Sequence, residues 1–194
     1  GVLTGPPYGA PPQSPAGGAS PPARGLICRA ITSPDYYQGW TYEGGALPLA
    51  FAVPWGLSRA SDPARRKGDE RALRRIAEAW TQYTIGPHQA YLPLNELPIT
   101  REIEVADYYF DWLKHNTFDD YWKQVAIWPR YPKVQAAGLH VGGWYDIFLE
   151  GTLQNYGGIR QEGGSDFARA NQRMLIGPWY HSPWTPLSGE MDFG

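Results

Sequence analysis

Two short apolar runs in this chain end in the same way. Val134-Gln-Ala-Ala-Gly-Leu-His-Val141 meets Gly142-Gly143 and passes into Trp144-Tyr145-Asp146, while Arg173-Met-Leu-Ile176 stops at Gly177-Pro178 and passes into Trp179-Tyr180-His181. Short apolar runs that stop at glycine read as buried strands emptying into tight loops. A third run, Gly25 to Ile31, ends at Ser33-Pro34-Asp35 and predicts another strand, with Asp35 read as a turn residue. Between these strands the period changes. Leu73, Ile76, Ala77 and Trp80 recur at three- and four-residue spacing and predict a helix between Ser61 and Tyr83, opened by Ser61-Asp62-Pro63 and closed at Gly86-Pro87. Residues 91–100, interrupted by Pro93 and Pro98, read as an extended connector. Helical stretches follow over 101–116 and 119–125, the second closing at Trp128-Pro129. Beyond Asp146 the amphipathic segment Ile147 to Tyr156 predicts a helix packed on the sheet.

The first 24 residues break this order. Seven prolines and five glycines make up half of them, and such a stretch cannot sustain a helix. Residues 10–24 are almost wholly Ala, Pro, Gly, Ser, Gln and Arg, as a shifted reading frame in a GC-rich gene would give. Elsewhere the chain is rich in rings, with nine Trp and thirteen Tyr gathered beside glycine and proline. Such rings pack within loops or line a concave apolar pocket. Seventeen basic residues against nineteen acidic ones leave a net charge of −2, without the basic footprint of a nucleic-acid binder. No apolar stretch reaches the roughly 18 residues of a membrane span, so no membrane partner is expected. The lone Cys28 excludes an internal disulfide framework and reads as a buried, inert thiol. His88, His115, His140 and His181 are scattered without ligand spacing, so neither a metal nor a cofactor is expected.

The chemistry therefore rests on two strand ends. In an open α/β sheet, ligands and catalytic groups gather outside the carboxyl ends of the strands, where Asp146 and His181 would lie. Each has a plain alternative: Asp146 as the cap of the helix after it, His181 as a solvated loop residue. Acid before base is also the chain order of the α/β-hydrolase triad.

Three motifs in order, Thr32-Ser-Pro-Asp-Tyr-Tyr-Gln-Gly-Trp-Thr-Tyr42 followed by Gly44-Gly45, Gly143-Trp-Tyr-Asp146 and Gly177-Pro-Trp-Tyr-His181, resemble the CocE/NonD hydrolases, relatives of cocaine esterase and X-Pro dipeptidyl-peptidase. The resemblance covers most of residues 25–184. It implies an α/β fold: a partial α/β-hydrolase core, carrying the C-terminal strands of the sheet, with an inserted helical cap. Residues 1–24 would be a degraded nucleophile-elbow region, 25–50 a core strand and aromatic loop, 51–130 the cap, and 131–194 the rest of the core. Asp146 would orient His181, and His181 would act as general base toward a serine. The opening Gly1-Val-Leu-Thr-Gly-Pro-Pro-Tyr-Gly-Ala10 resembles the family's elbow, yet Pro7 stands where the serine belongs, with the amide of Tyr8 as the corresponding oxyanion donor. Tyr36, Tyr37, Trp40, Trp144 and Trp179 are the expected pocket residues, and a small-molecule ester or X-Pro peptide the expected partner. Two outcomes stand side by side: a serine hydrolase, and an inactive fragment or pseudoenzyme of the same fold. The sequence also reads as an internal piece of a larger hydrolase.

Overall fold

In a computed structural model the protein is described over residues 2–3, 25–102, 108–181 and 186–193. Four parallel strands form one sheet in the order β1 (Val2–Leu3), β2 (Leu26–Ala30), β3 (Ala137–Gly143) and β4 (Gln172–Gly177). The pairing of β2 with β3 sets Cys28 beside Leu139 and Arg29 beside His140. That of β3 with β4 sets His140 beside Met174 and Gly143 beside Gly177. Strands so paired end together, which is what brings the two glycine-terminated loops side by side.

The chain divides into two compact units, Gly1–Trp40 with Phe118–Gly194, and Thr41–Thr117. In the first, a helix predicted beyond Asp146 forms as α6 (Leu149–Glu162) and packs on β3. Its Ile159 is buried in a cluster with Ile127, Tyr131 and Val134. Gly158 permits this approach, because a methyl group there would collide with the Tyr131 ring. Asp35 turns the chain after β2 as expected, its Oδ1 accepting the amides of Tyr37 (2.8 Å) and Gln38 (2.6 Å). Ile31, between strand and turn, sits at φ 52°, a left-handed conformation strained for a β-branched residue.

The second unit is helical. Helices α1 (Leu49–Lys67) and α2 (Glu70–Ile85) pack together around Ala52, Val53, Leu57, Ile76 and Ala79, and the Tyr83 hydroxyl donates to the Leu49 carbonyl at 2.8 Å. The helix start expected at Ser61-Asp62-Pro63 is corrected here, since α1 runs straight through it with Pro54 and Pro63 inside. Both cap candidates are engaged within the helix: the Ser61 hydroxyl donates to the Ser58 carbonyl at 2.6 Å, and Asp62 pairs with Arg66 one turn on at 2.9 Å. The break falls at Gly68, in the left-handed region at φ 64°, and Asp69 caps α2 by accepting the Ala72 amide at 2.9 Å.

The connector expected over 91–100 is also more ordered than an extended chain. It holds a 3-10 turn at Leu94–Glu96 and the helix α3 (Pro98–Glu102), with proline at the first helical position, where its missing amide costs no hydrogen bond. Of the stretch predicted over 101–116, α4 occupies Tyr108–Lys114, while residues 103–107 lie outside the described part. The last predicted helix shrinks to α5 (Asp120–Lys123), capped by Asp119.

Candidate active site

The ends of β3 and β4 are strapped to each other by backbone bonds, Trp144 N to Gly177 O at 2.9 Å and Tyr145 N to Trp179 O at 3.0 Å. Gly143 makes the strap possible, because a Cβ there would collide with the Trp179 carbonyl. The chain then turns through Asp146, whose amide returns to the Gly143 carbonyl at 3.2 Å. With both loops fixed, the Asp146 and His181 side chains, 35 positions apart in sequence, meet at 3.1 Å between Oδ1 and Nδ1.

The same Oδ1 accepts the Phe148 amide at 2.8 Å, and the Asp146 carbonyl accepts the Leu149 amide at 3.1 Å just where α6 begins. Helix initiation and the histidine contact thus share one carboxylate. The Asp146 side chain is fully buried, whereas 43 % of the His181 side chain is exposed. A carboxylate can only accept, so Nδ1 carries the proton of this contact, and in the neutral imidazole Nε2 is then the nitrogen with the free lone pair. Asp146 Oδ2 is buried without a partner among the described residues, which adds to the cost of leaving this carboxylate without its histidine.

Three rings continue from the histidine. The Phe148 ring meets the His181 imidazole edge-on at 5.1 Å, Trp40 stacks on Phe148 at 4.5 Å, and Tyr36 lies 4.7 Å from Trp40. Burial raises the Tyr36 hydroxyl well above its ordinary value, so it stays protonated. Tyr36 and Trp40 thus reach the Asp–His pair through Phe148, which lies within the segment predicted as a helix and not among the expected pocket residues. Its signal was positional: it stands two residues after an aspartate at a helix start, where the aspartate holds its amide. Tyr37 instead packs on Phe118 (6.0 Å) and Trp122 (5.8 Å). Trp144 is 61 % exposed, and the half-buried Trp179 lays its indole against Gly177. Pro7 and Tyr8 lie outside the described residues.

Cys28 is in no disulfide and is half-buried, and burial pushes its thiol up against the opposing pull of Arg29, which disfavours the thiolate a nucleophile needs. Among the described residues no group of His, Cys, Asp and Glu could hold a metal ion, and no helix is long and apolar enough to cross a membrane.

The family model for X-Pro dipeptidyl-peptidase (S15 family) matches residues 3–183. Cocaine esterase from Rhodococcus sp. (strain MB1 Bresler) is 24 % identical over 174 residues, which are 87 % of this chain and 29 % of that relative's length.

Proposed function

Because the chain belongs to the X-Pro dipeptidyl-peptidase (S15) family, we propose that it carries the acid–base half of a serine-hydrolase site, built for acyl transfer from an ester or an X-Pro amide. The observation that supports this reading is the 3.1 Å contact between His181 Nδ1 and Asp146 Oδ1 at the ends of adjacent parallel strands. In this mechanism His181 Nε2 takes the proton from a serine attacking the carbonyl and returns it to the leaving group. Asp146 holds the productive tautomer and stabilises the imidazolium. Tyr36, Trp40, Trp144 and Trp179 are the aromatic residues we assign to the substrate pocket, with Phe148 joining them through its ring contacts. The helical segment between β2 and β3, expected from residue 51 to 130, is the proposed cap.

The nucleophile is the missing part. Pro7 has no hydroxyl, and its φ is fixed near about −65°, whereas the elbow of this fold holds its nucleophile in a strained turn. Pro11, Pro12 and Pro15 oppose the helix whose first turn would aim the Tyr8 amide at the oxyanion. The chain as it stands is therefore proposed to lack triad-dependent turnover, which is the pseudoenzyme reading of the same site. Hydrolysis of a short-chain aryl ester separates the two. No turnover is expected from the unmodified chain or from Pro7→Ser alone, and turnover is expected once Pro7→Ser is combined with a helix-competent replacement of residues 10–24. Turnover by the unmodified chain that vanishes with His181→Ala would overturn the proposal, since another nucleophile would then be using the same base.

A further inference from the structure

A second concave site lies in the same unit as the strand-end pair and shares no lining residue with it. Its cavity, about 560 Å³, is lined by the aromatic residues Tyr37, Phe118, Trp128 and Tyr131, together with Asp35 and Gln154. The walls come from separate chain segments held by backbone bonds, because the Pro34 carbonyl accepts the amides of Ile127 (2.7 Å) and Trp128 (3.4 Å). Phe118 and Trp128 stand 5.8 Å apart between ring centres, and Tyr37 and Phe118 6.0 Å. Trp128 leaves 45 % of its surface open.

Asp35 is only 6 % exposed. It accepts the amides of Tyr37 and Gln38 and a side-chain hydrogen bond from Trp128, all from neutral donors. Among the described residues no cationic side chain forms an ion pair with it. A buried carboxylate so placed lacks the countercharge that normally accompanies burial. A hydrated metal ion does not suit the space, since one carboxylate among rings offers too few oxygens for a hard cation. Aromatic faces around a single negative charge instead match a weakly hydrated organic cation, which gains from the π-faces and from the carboxylate together.

We propose that this pocket binds an organic ammonium ion, a substituted or quaternary amine carrying one positive charge. The proposal does not depend on whether the chain hydrolyses anything.

Choline and its uncharged isostere 3,3-dimethylbutan-1-ol are the probes, titrated into the 194-residue chain by calorimetry and by the indole signals in NMR. Choline is expected to bind saturably at about 1–10 mM and roughly tenfold more tightly than the alcohol, the ratio that about 1.4 kcal/mol of charge-dependent attraction gives. Asp35→Asn keeps an oxygen for the two turn amides and removes the charge, so it should cost choline about tenfold and leave the alcohol unchanged. Trp128→Leu removes a half-exposed ring face together with its hydrogen bond to Asp35, should lower the thermal midpoint without unfolding the chain, and should weaken choline several-fold while changing the alcohol less. Equal binding of choline and alcohol, choline binding that survives both substitutions, or no saturable choline binding by the unmodified chain would each overturn the proposal.

Discussion

The middle and the end of one strand pair, β3 with β4, each hold a histidine beside a polar partner, and the two places behave oppositely. In the middle, His140 is 1 % exposed and its Nε2 lies 2.9 Å from Gln172 Oε1. Gln172, 2 % exposed, donates onward to the carbonyls of Ala136 and Ala168. Burial first, and then the nearby Arg29 guanidinium, push His140 down to about 4. At the end, His181 is open to solvent on one side and faces a carboxylate instead of an amide. A buried imidazole with a neutral amide beside it is held uncharged and serves packing. An imidazole at the mouth of the sheet with a carboxylate behind it has the surroundings that the proposed base requires.

The largest expected effect that tests this contrast is a loss of stability in acid. In the unfolded chain a histidine takes its proton near 6.5, whereas folded His140 takes it only near about 4. Between these values the unfolded chain binds the additional proton, so this contribution is intact above about pH 6.5 and declines as pH falls toward 4. Below that it declines no further. The window is worth about 3 kcal/mol. Urea titrations at about pH 7 and about pH 4.5 should show this decline in the parent chain and a smaller one in His140→Phe. An equal decline in both would mean that carboxylates elsewhere account for the acid sensitivity.

Next in size are two glycine substitutions that separate the places mechanically. A Cβ on Gly138 would collide with Gln172 Oε1 and crowd His140 Nε2, whereas one on Gly143 would collide with the Trp179 carbonyl. Each Gly→Ala change is expected to cost about 1–3 kcal/mol as an overpacked site. Their signatures in NMR should differ. Gly138→Ala should disturb the His140 ring and leave the His181 Nδ1 proton where it was, while Gly143→Ala should do the reverse. A common loss of both signals would show that the strand pair responds as one body.

Smaller still is the effect expected of Arg29→Met. Arg29 is 1 % exposed, its three side-chain nitrogens find no hydrogen-bond partner among the described residues, and burial pulls its guanidinium down to about 10, which leaves it charged near neutrality. Replacing a buried, poorly satisfied charge by a side chain of similar volume is often neutral or stabilising, here by about 1 kcal/mol. The same change removes a charge that lowers His140, so the acid window of the first prediction should narrow. A loss beyond about 2 kcal/mol near neutral pH would mean that the guanidinium has a strong acceptor after all.

The contrast also explains what could be read from the chain beforehand. The strand ends were legible because Gly142-Gly143 and Gly177-Pro178 punctuate apolar runs, and because whatever follows such a break faces the mouth of the sheet. His140 was not, because its partner Gln172 is set by the register between two strands, and no local pattern encodes that neighbour. Arg29 likewise lay inside a run whose other members gave the strand away. In α1 the cap chemistry of Ser61 and Asp62 misled for a local reason, since both side chains found partners within the helix they were expected to start. Phe148 was hidden by its place beside a helix, although the ring contacts that draw it toward His181 belong to the site.

The smallest expected effect concerns the histidine with the proposed chemistry. His181→Ala removes a side chain that is 43 % exposed, and the edge contact with Phe148 and the contact with Asp146 are what it loses. The Phe148 amide still reaches Asp146 Oδ1, so the turn into α6 keeps its own hydrogen bond. Against this stands the buried Asp146 carboxylate, left with fewer partners, which limits how small the loss can be. The balance should be about 1 kcal/mol, because the open side that His181 occupies lets water reach the carboxylate it leaves behind. His140→Ala should cost about 2–4 kcal/mol, because it opens a cavity and strips Gln172 of its buried partner. Unfolding midpoints of the two variants under the same conditions decide it. A His181→Ala loss as large as that of His140→Ala would make the strand-end histidine a structural residue and weaken the case for its role as a base.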